Sequence, residues 1–117
     1  MSHRIKIHES GVIVKIQPGI YRVYALGGWK VRLGAFSMSI IDQKTGNEIN
    51  SKQVKFGVQD RRHGVRVKQI ATLSVPEWRD YEVRFHNPSD LQVYHAIFFP
   101  GLFEKILDNK QLEISFG

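Results

Sequence analysis

Large apolar residues recur at every second position along most of this chain. In WKVRL (residues 29–33) and YEVRF (residues 81–85), the first, third and fifth residues are apolar and the others are charged. A period of two is the repeat of a β-strand, and a strand with one apolar and one polar face is typical of antiparallel sheets that are wet on one side. The pattern predicts about nine or ten short strands.

Turn sequences separate these strands, among them PG (18–19), GG (27–28), TGN (45–47) and NPSD (87–90). Residues of these types favour tight turns. In GLFEKILDNK the apolar residues fall at helical spacing instead, which predicts a short helix or turn near residues 102–110. The predicted fold is all-β, with two antiparallel sheets packed as a jelly-roll-like β-sandwich. A small β-barrel is the alternative, and residues 1–117 form a single domain in either case.

The apolar faces of the predicted strands also predict the core. One side of each strand is expected to be buried against the facing sheet, while the charged side remains in water. The residues expected to be mainly buried are Val31, Phe36, Met38, Ile40, Val54, Phe56, Val67, Leu73, Tyr81, Val83, Phe85 and Val93.

Two stretches carry a resemblance to known proteins. SMSIIDQKTGNEI (37–49) followed by EWRDYEVRFHNPS (77–89) gives a strand, an Asp-to-Gly turn, a second strand and then a Tyr-x-Val-x-Phe strand. This order resembles the broad group of small β-sandwich modules, which includes carbohydrate-binding and cargo-binding modules, over about half of the chain. The resemblance implies a sandwich fold and no particular functional residue.

Composition narrows the classes of function. The chain has 17 Lys and Arg against 11 Asp and Glu, a formal net charge of +6, and no cysteine. Without cysteine, disulfide scaffolds, thiolate metal sites and cysteine nucleophiles are excluded. The positive charge favours acidic partners or surfaces. We expect no secretion signal and no membrane span, because charges interrupt every long apolar run; the cellular compartment stays open.

Motifs of common enzymes are absent, including GxSxG, GxxxxGK[ST] and HExxH. His86, Asp90 and His95 are close enough in sequence for a shared metal site, but half-buried strand residues are the simpler interpretation. Carboxylates and arginines alternate over residues 77–84, which indicates surface ion pairs. We therefore expect a protein that is not an enzyme and uses no cofactor or metal.

Aromatic residues suggest a second class of function. Trp29 shares the apolar face of its strand, so we expect it in the core. Tyr24, Trp78 and Tyr94 are the candidates for an exposed platform on which sugars or single-stranded bases stack. A carbohydrate-binding module is therefore the alternative function, and a nucleic-acid-binding domain is a weaker alternative.

The stretch KFGVQDRRHGVRVK (55–68) contains five Lys or Arg and a single acid, Asp60. We expect a hairpin with its loop at residues 60–63, in which Val58 faces Val65 and Lys55 faces Lys68, because this register keeps the apolar residues on one side. Such a hairpin is either a solvated edge protected by charge or a docking element for an acidic partner. We favour docking, with the partner-binding residues Lys55, Arg61, Arg62, His63, Arg66 and Lys68.

Taken together, the sequence predicts a structural or interaction module that works within a larger assembly, such as a virion or another multisubunit particle. The partner expected first is an acidic protein surface or other copies of the same chain. Carbohydrate is expected second. Nucleic acid is expected third, because no aromatic residues alternate with the basic ones in residues 57–68.

Overall fold

A computed structural model of the chain describes residues 3–55, 57–62, 64–97 and 103–117. Their regular elements are strands and two short 3-10 turns, at Pro88–Asp90 and Asn109–Gln111. The strands are β1 (His3–Lys6), β2 (Val12–Ile16), β3 (Gly19–Leu26), β4 (Lys30–Arg32), β5 (Ser37–Asp42), β6 (Glu48–Asn50), β7 (Lys52–Gln53), β8 (Gln59–Arg62), β9 (Val65–Val75), β10 (Arg79–His86), β11 (Gln92–Ile97), β12 (Phe103–Ile106) and β13 (Glu113–Phe116). The all-β class is confirmed.

The strands pair into antiparallel sheets, as expected. The largest sheet has the order β1-β13-β3-β9, and both β7 and β8 pair with the outer side of β9. A second sheet has the order β2-β10-β5-β6, and a third has the order β12-β11-β4. A barrel needs the two edge strands of a sheet to pair with each other. No such pairing occurs within the described residues, so the small β-barrel is wrong.

Side chains from the two larger sheets share one apolar core. Leu73 from the first sheet and Val83 from the second both lie in it without exposed surface. Of the twelve residues expected to be buried, nine are buried, Val31 and Val54 are half-buried, and Phe56 lies outside the described residues. Alternation along the strands therefore predicts most of the core correctly.

A β-bulge in β9 exchanges the faces of its side chains. The register with β3 pairs Val23 with Ala71 but Tyr24 with Gln69, so Ile70 is the extra residue. An extra residue shifts the alternation by one position. After the bulge, the odd-numbered side chains Ala71, Leu73 and Val75 lie in the main core. Before the bulge, the odd-numbered side chains Val65 and Val67 lie on the opposite face of the sheet. On that other side a small separate cluster contains Tyr24, Leu26, Val65 and Val67.

The short helix expected near residues 102–110 is wrong for most of its length. Leu102 lies outside the described residues, residues 103–106 form β12, and the 3-10 turn covers only Asn109–Gln111. β12 pairs with β11 from Ile97↔Phe103 to Tyr94↔Ile106. A helix this short forms too few hydrogen bonds to offset the entropy lost when its first turn is ordered. A strand in the same place pairs with the edge of β11 instead.

The strand β13 is an inner strand of the largest sheet, where it lies between β1 and β3. Ile114 and Phe116 are fully buried there. Among the described residues, no helix has both the length and the apolar character needed to cross a membrane.

Candidate functional site: a basic and aromatic region

The hairpin β8–β9 has a different register from the one expected. The pairs are Arg62↔Val65, Arg61↔Arg66 and Gln59↔Lys68, so the strands are paired up to Arg62 and Val65 and the expected loop at residues 60–63 is wrong. Gly64 has a φ of +79°, which a tight hairpin turn needs and which glycine adopts without steric cost. The expected pairs Val58–Val65 and Lys55–Lys68 are therefore wrong. His63 lies outside the described residues.

The corrected register divides the basic side chains between two faces of the hairpin. Residues directly opposite each other share a face, so Arg61 and Arg66 lie on one side. Arg62 lies on the other side, with Val65. The consecutive residues Arg61 and Arg62 therefore point their basic groups to opposite faces.

Trp29 lies against the face that carries Arg61 and Arg66. The guanidinium carbon of Arg66 is 4.8 Å from the centre of the Trp29 ring, and that of Arg61 is 5.7 Å away. The indole Nε1 donates a hydrogen bond to the carbonyl of Asp60 at 3.0 Å. Trp29 was expected in the core, but it is half-exposed. The physical reason is that its ring packs against the guanidinium groups of Arg61 and Arg66, and Arg61 is exposed.

Tyr24 lies on the opposite face of the hairpin, under Arg62. The Arg62 guanidinium carbon is 4.7 Å from the Tyr24 ring, and its Nη2 donates to the Tyr24 hydroxyl at 3.1 Å. Asp60 is 3.8 Å from Arg62 on the same face. Tyr24 is only 1% exposed, which leaves no ring surface for a sugar or a base to stack on.

The two other candidates for ligand stacking lie elsewhere. Tyr94 on β11 faces Lys30 and Arg32 of β4, whose charged groups are 5.1 Å and 5.7 Å from its ring. Trp78, in the loop before β10, is 54% exposed. In the described residues no ring contact joins Tyr24, Trp78 and Tyr94, so the structure does not bring these three into one platform.

Lys55 and Lys68 both line a small cleft beside the hairpin. The cleft is also lined by Val31 and Leu33 of the β4 segment. Lys68 donates one hydrogen bond to the carbonyl of Gly57 at 3.0 Å. Lys55 is exposed, and it has no ion-pair partner among the described residues.

The net charge of the protein is concentrated here. Residues 29–32 and 55–68 hold seven of the 17 Lys and Arg but one of the 11 acidic residues. They therefore carry a formal charge of +6, and the rest of the chain is neutral with ten groups of each sign. We call these two segments, as far as the structure describes them, the basic region. Its charge attracts anionic partners over distances of about 10 Å at moderate salt.

The histidines that could have formed a metal site have separate partners. His86 contacts Ser39, and His95 Nδ1 lies 3.2 Å from the carbonyl of Gly27. The nearby carboxylate of Asp90 accepts from the backbone of Ala35 at 2.9 Å. Within the part of the chain that the structure describes, no three His, Cys, Asp or Glu side chains are grouped to hold a metal ion.

Strand pairing also assembles a polar cluster that sequence patterns do not reveal, since its members lie on three strands. Ser39 Oγ donates to Glu48 at 2.8 Å and lies 2.9 Å from His86 Nε2. The hydroxyl has a single proton, so Nε2 must carry a hydrogen and donate to Ser39. Ser39 has no exposed surface. Its oxygen therefore links β5, β6 and β10 and is not accessible as a nucleophile.

Two of the three acidic residues of the 77–84 stretch form ion pairs. Glu77 pairs with Arg79 and Glu82 with Arg84. Arg79 also lies 3.7 Å from Asp42. Burial raises the pKa of Asp42, but hydrogen bonds from the backbone of residues 44 and 45 and the charge of Arg79 outweigh it, so the pKa lies below its usual value. The Asp42 carboxylate also accepts hydrogen bonds from Lys44 N–H and Thr45 N–H, so it stabilises the turn after β5.

Comparisons with known proteins leave the function to be inferred from this geometry. No protein-family model, no curated protein and no solved structure matches the chain.

Proposed function

We propose that this protein is a non-enzymatic interaction module whose basic region docks against an acidic surface of a partner protein. The main support is that the whole formal charge of +6 lies in residues 29–32 and 55–68. Arg61 is the group best placed for docking, because it is exposed and has no ion-pair partner among the described residues. Its stacking on Trp29 limits the conformational freedom that it would lose on binding.

The composition of the basic region favours a protein partner over nucleic acid. Trp and Arg are among the residues most enriched at the energetic centres of protein interfaces, and the region holds Trp29 and four arginines. Sequence-tolerant binding of single strands needs a row of exposed rings along a basic groove. Trp29 and Tyr24 instead lie on opposite faces of the β8–β9 hairpin, and Tyr24 is buried.

The proposal includes a finer description of the fold. The two larger sheets are proposed to pack face to face as a jelly-roll-like β-sandwich, and the support is the single core that contains side chains from both. Such a module presents the β8–β9 hairpin at a sheet edge, where rigid strands position it for docking. A larger assembly, such as a virion or another multisubunit particle, is the setting that we propose for it.

The proposal is tested with a defined acidic probe, a fluorescein-labelled deca-glutamate peptide, by fluorescence anisotropy at low and physiological salt. The variant Lys55→Ser/Arg61→Ser removes two exposed charges from the basic region. Arg62 is retained because it stacks on Tyr24 and its loss would disturb folding. The matched control Lys15→Ser/Lys44→Ser removes the same charge from exposed positions elsewhere.

We expect the basic-region variant to bind about tenfold more weakly and the control to bind almost like the parent, since each exposed ion pair contributes up to about 1 kcal/mol. Equal losses in both variants would mean that only total charge matters and would contradict docking. A single-stranded deca-thymidylate bound more tightly than the peptide at equal salt would show that the partner is nucleic acid instead.

A further inference from the structure

The cleft beside the β8–β9 hairpin has features of a built site. Its volume is about 250 Å³, and it lies between the β4 segment and the outer side of β9. Pockets for drug-sized ligands usually measure about 300–1,000 Å³. This cleft is therefore sized for one or two side chains of a partner and not for a large cofactor. Its lining residues are Val31, Leu33, Gln53, Val54, Lys55, Lys68, Gln69 and Ile70.

The β-bulge of β9 lies at this cleft, because Gln69 and Ile70 are among the lining residues. Before the bulge β9 pairs with β8, and after it β9 pairs with β7, so the two edge strands separate at this point. The connecting segment is held by Val54 N–H donating to Ile70 (3.0 Å) and Gln69 N–H donating to Val58 (2.8 Å). Gly57 allows this close approach, because a Cβ there would lie 1.9 Å from the Gln69 carbonyl oxygen.

The chemistry of the lining is amphipathic. Val31, Leu33, Val54 and Ile70 supply apolar walls, and none of the described lining residues is acidic. Lys68 keeps two of its three ammonium hydrogens after donating to Gly57, and Lys55 is exposed at the rim. An occupant that matches these walls has an aliphatic side chain to bury and a carboxylate next to it for the two ammonium groups.

We propose that the cleft takes an aliphatic side chain, flanked by carboxylates, from the acidic partner protein. This inference rests on the proposed docking function and adds the residue type that anchors it. Charge alone would steer the partner to the basic region, and the buried side chain would fix its position.

The test compares two labelled peptides of equal charge, acetyl-EEEELEEEE-amide and acetyl-EEEEAEEEE-amide. Burial of a leucine side chain predicts that the leucine peptide binds at least about tenfold more tightly than the alanine peptide. The variant Val54→Phe fills the cleft without changing charge, so we expect it to abolish this difference while the alanine peptide binds as before. Lys52→Gln is the control on neighbouring β7, and it should leave the difference intact.

A measurement on the parent protein covers the case in which Val54→Phe does not fold. Methyl NMR signals of Val31, Leu33, Val54 and Ile70 should shift with the leucine peptide and much less with the alanine peptide. If both peptides bind equally and these methyl groups do not shift, the anchor proposal is overturned while the docking function stands. If neither peptide binds, both proposals fail. Hexanoate alone is also titrated. If it shifts the same methyl signals at concentrations as low as those needed with the leucine peptide, the site binds a small carboxylate and the anchor proposal is wrong.

Discussion

Replacing Gly57 with alanine should loosen the segment that connects β7 to β8. The φ of Gly57 is not positive, so alanine can adopt this backbone conformation and steric contact is the main cost. The added Cβ would lie 1.9 Å from the Gln69 oxygen, whereas real Cβ contacts are essentially never below 3.0 Å. The segment must therefore withdraw by about 1 Å, which is a large displacement for a hydrogen-bonded backbone.

The magnitude follows from the two hydrogen bonds that this movement breaks. They join Val54 to Ile70 at 3.0 Å and Gln69 to Val58 at 2.8 Å, and each contributes about 0.5–1.5 kcal/mol. Alanine also reduces the entropy of the unfolded chain, which offsets about 0.4–1 kcal/mol. We expect the free energy of unfolding to fall by about 1 kcal/mol, within limits of about 0 and 2.6 kcal/mol.

Urea unfolding measures the total loss, and native-state hydrogen exchange locates it. The amides of Val54 and Gln69 should exchange faster in Gly57→Ala than global unfolding explains. Gly46→Ala is the control, because its Cβ would meet no atom within 4 Å although its φ is +76°. It should be destabilised by conformation alone, without selective exchange at these two amides. A Gly57→Ala protein as stable as the parent, with unchanged exchange, would refute the close approach.

Three further predictions concern stability. Phe85→Ala should lower the free energy of unfolding by about 3–5 kcal/mol in urea titrations, because the ring is buried beside Phe36. A loss below about 1 kcal/mol would place β10 at the periphery of the core. Deletion of residues 112–117 should abolish soluble folded protein, since β1 loses its partner and β3 loses one of its two neighbours. A folded product by circular dichroism would contradict the sheet order. Asp42 has a lowered pKa in the folded state, so its contribution is complete above about pH 4 and is lost as the pH falls through that lowered value. Thermal unfolding of Asp42→Asn should therefore depend less on pH between about 5 and 2 than that of the parent, and an equal dependence would show that Asp42 contributes nothing.

Local alternation predicts burial well where a strand is regular. In β10 the apolar residues of YEVRF are all buried, and their charged neighbours lie on the other face. The physical basis is local, because successive side chains of any strand point to opposite faces. The all-β class and most of the core could therefore be predicted from the sequence.

The candidate site could be predicted only in part, because its geometry depends on the β-bulge at Ile70, which interrupts the alternation of side chains along β9. Nothing in VRVKQIATLSV (65–75) reveals that Ile70 is an extra residue, since the bulge is fixed by pairing with distant β3. The bulge turns Arg66 towards the β4 side, where it meets Trp29. The basic residues were therefore identified, while their division between two faces and the aromatic contact were not.

Turn chemistry explains the wrong register of the hairpin. A loop at residues 60–63 keeps the polar residues out of the strand, but Gly64 allows a tighter turn and extends β8 to Arg62. Charged residues are tolerated on this edge strand because their long side chains reach solvent on either face.

The place of β13 between β1 and β3 has a consequence for the order in which the chain can fold. Arg4 and Glu113 are 109 positions apart in sequence, yet they form a two-pronged ion pair across adjacent strands. During synthesis β3 and β9 can pair early, but β1 has no neighbour in the sheet until residues 113–116 have left the ribosome. Contacts of such long range make folding slow, because the chain entropy of the closed loop is lost before any contact compensates for it. The nascent chain therefore carries β1 without its partner until β13 has been synthesised, and this interval is when we expect it to depend most on chaperones.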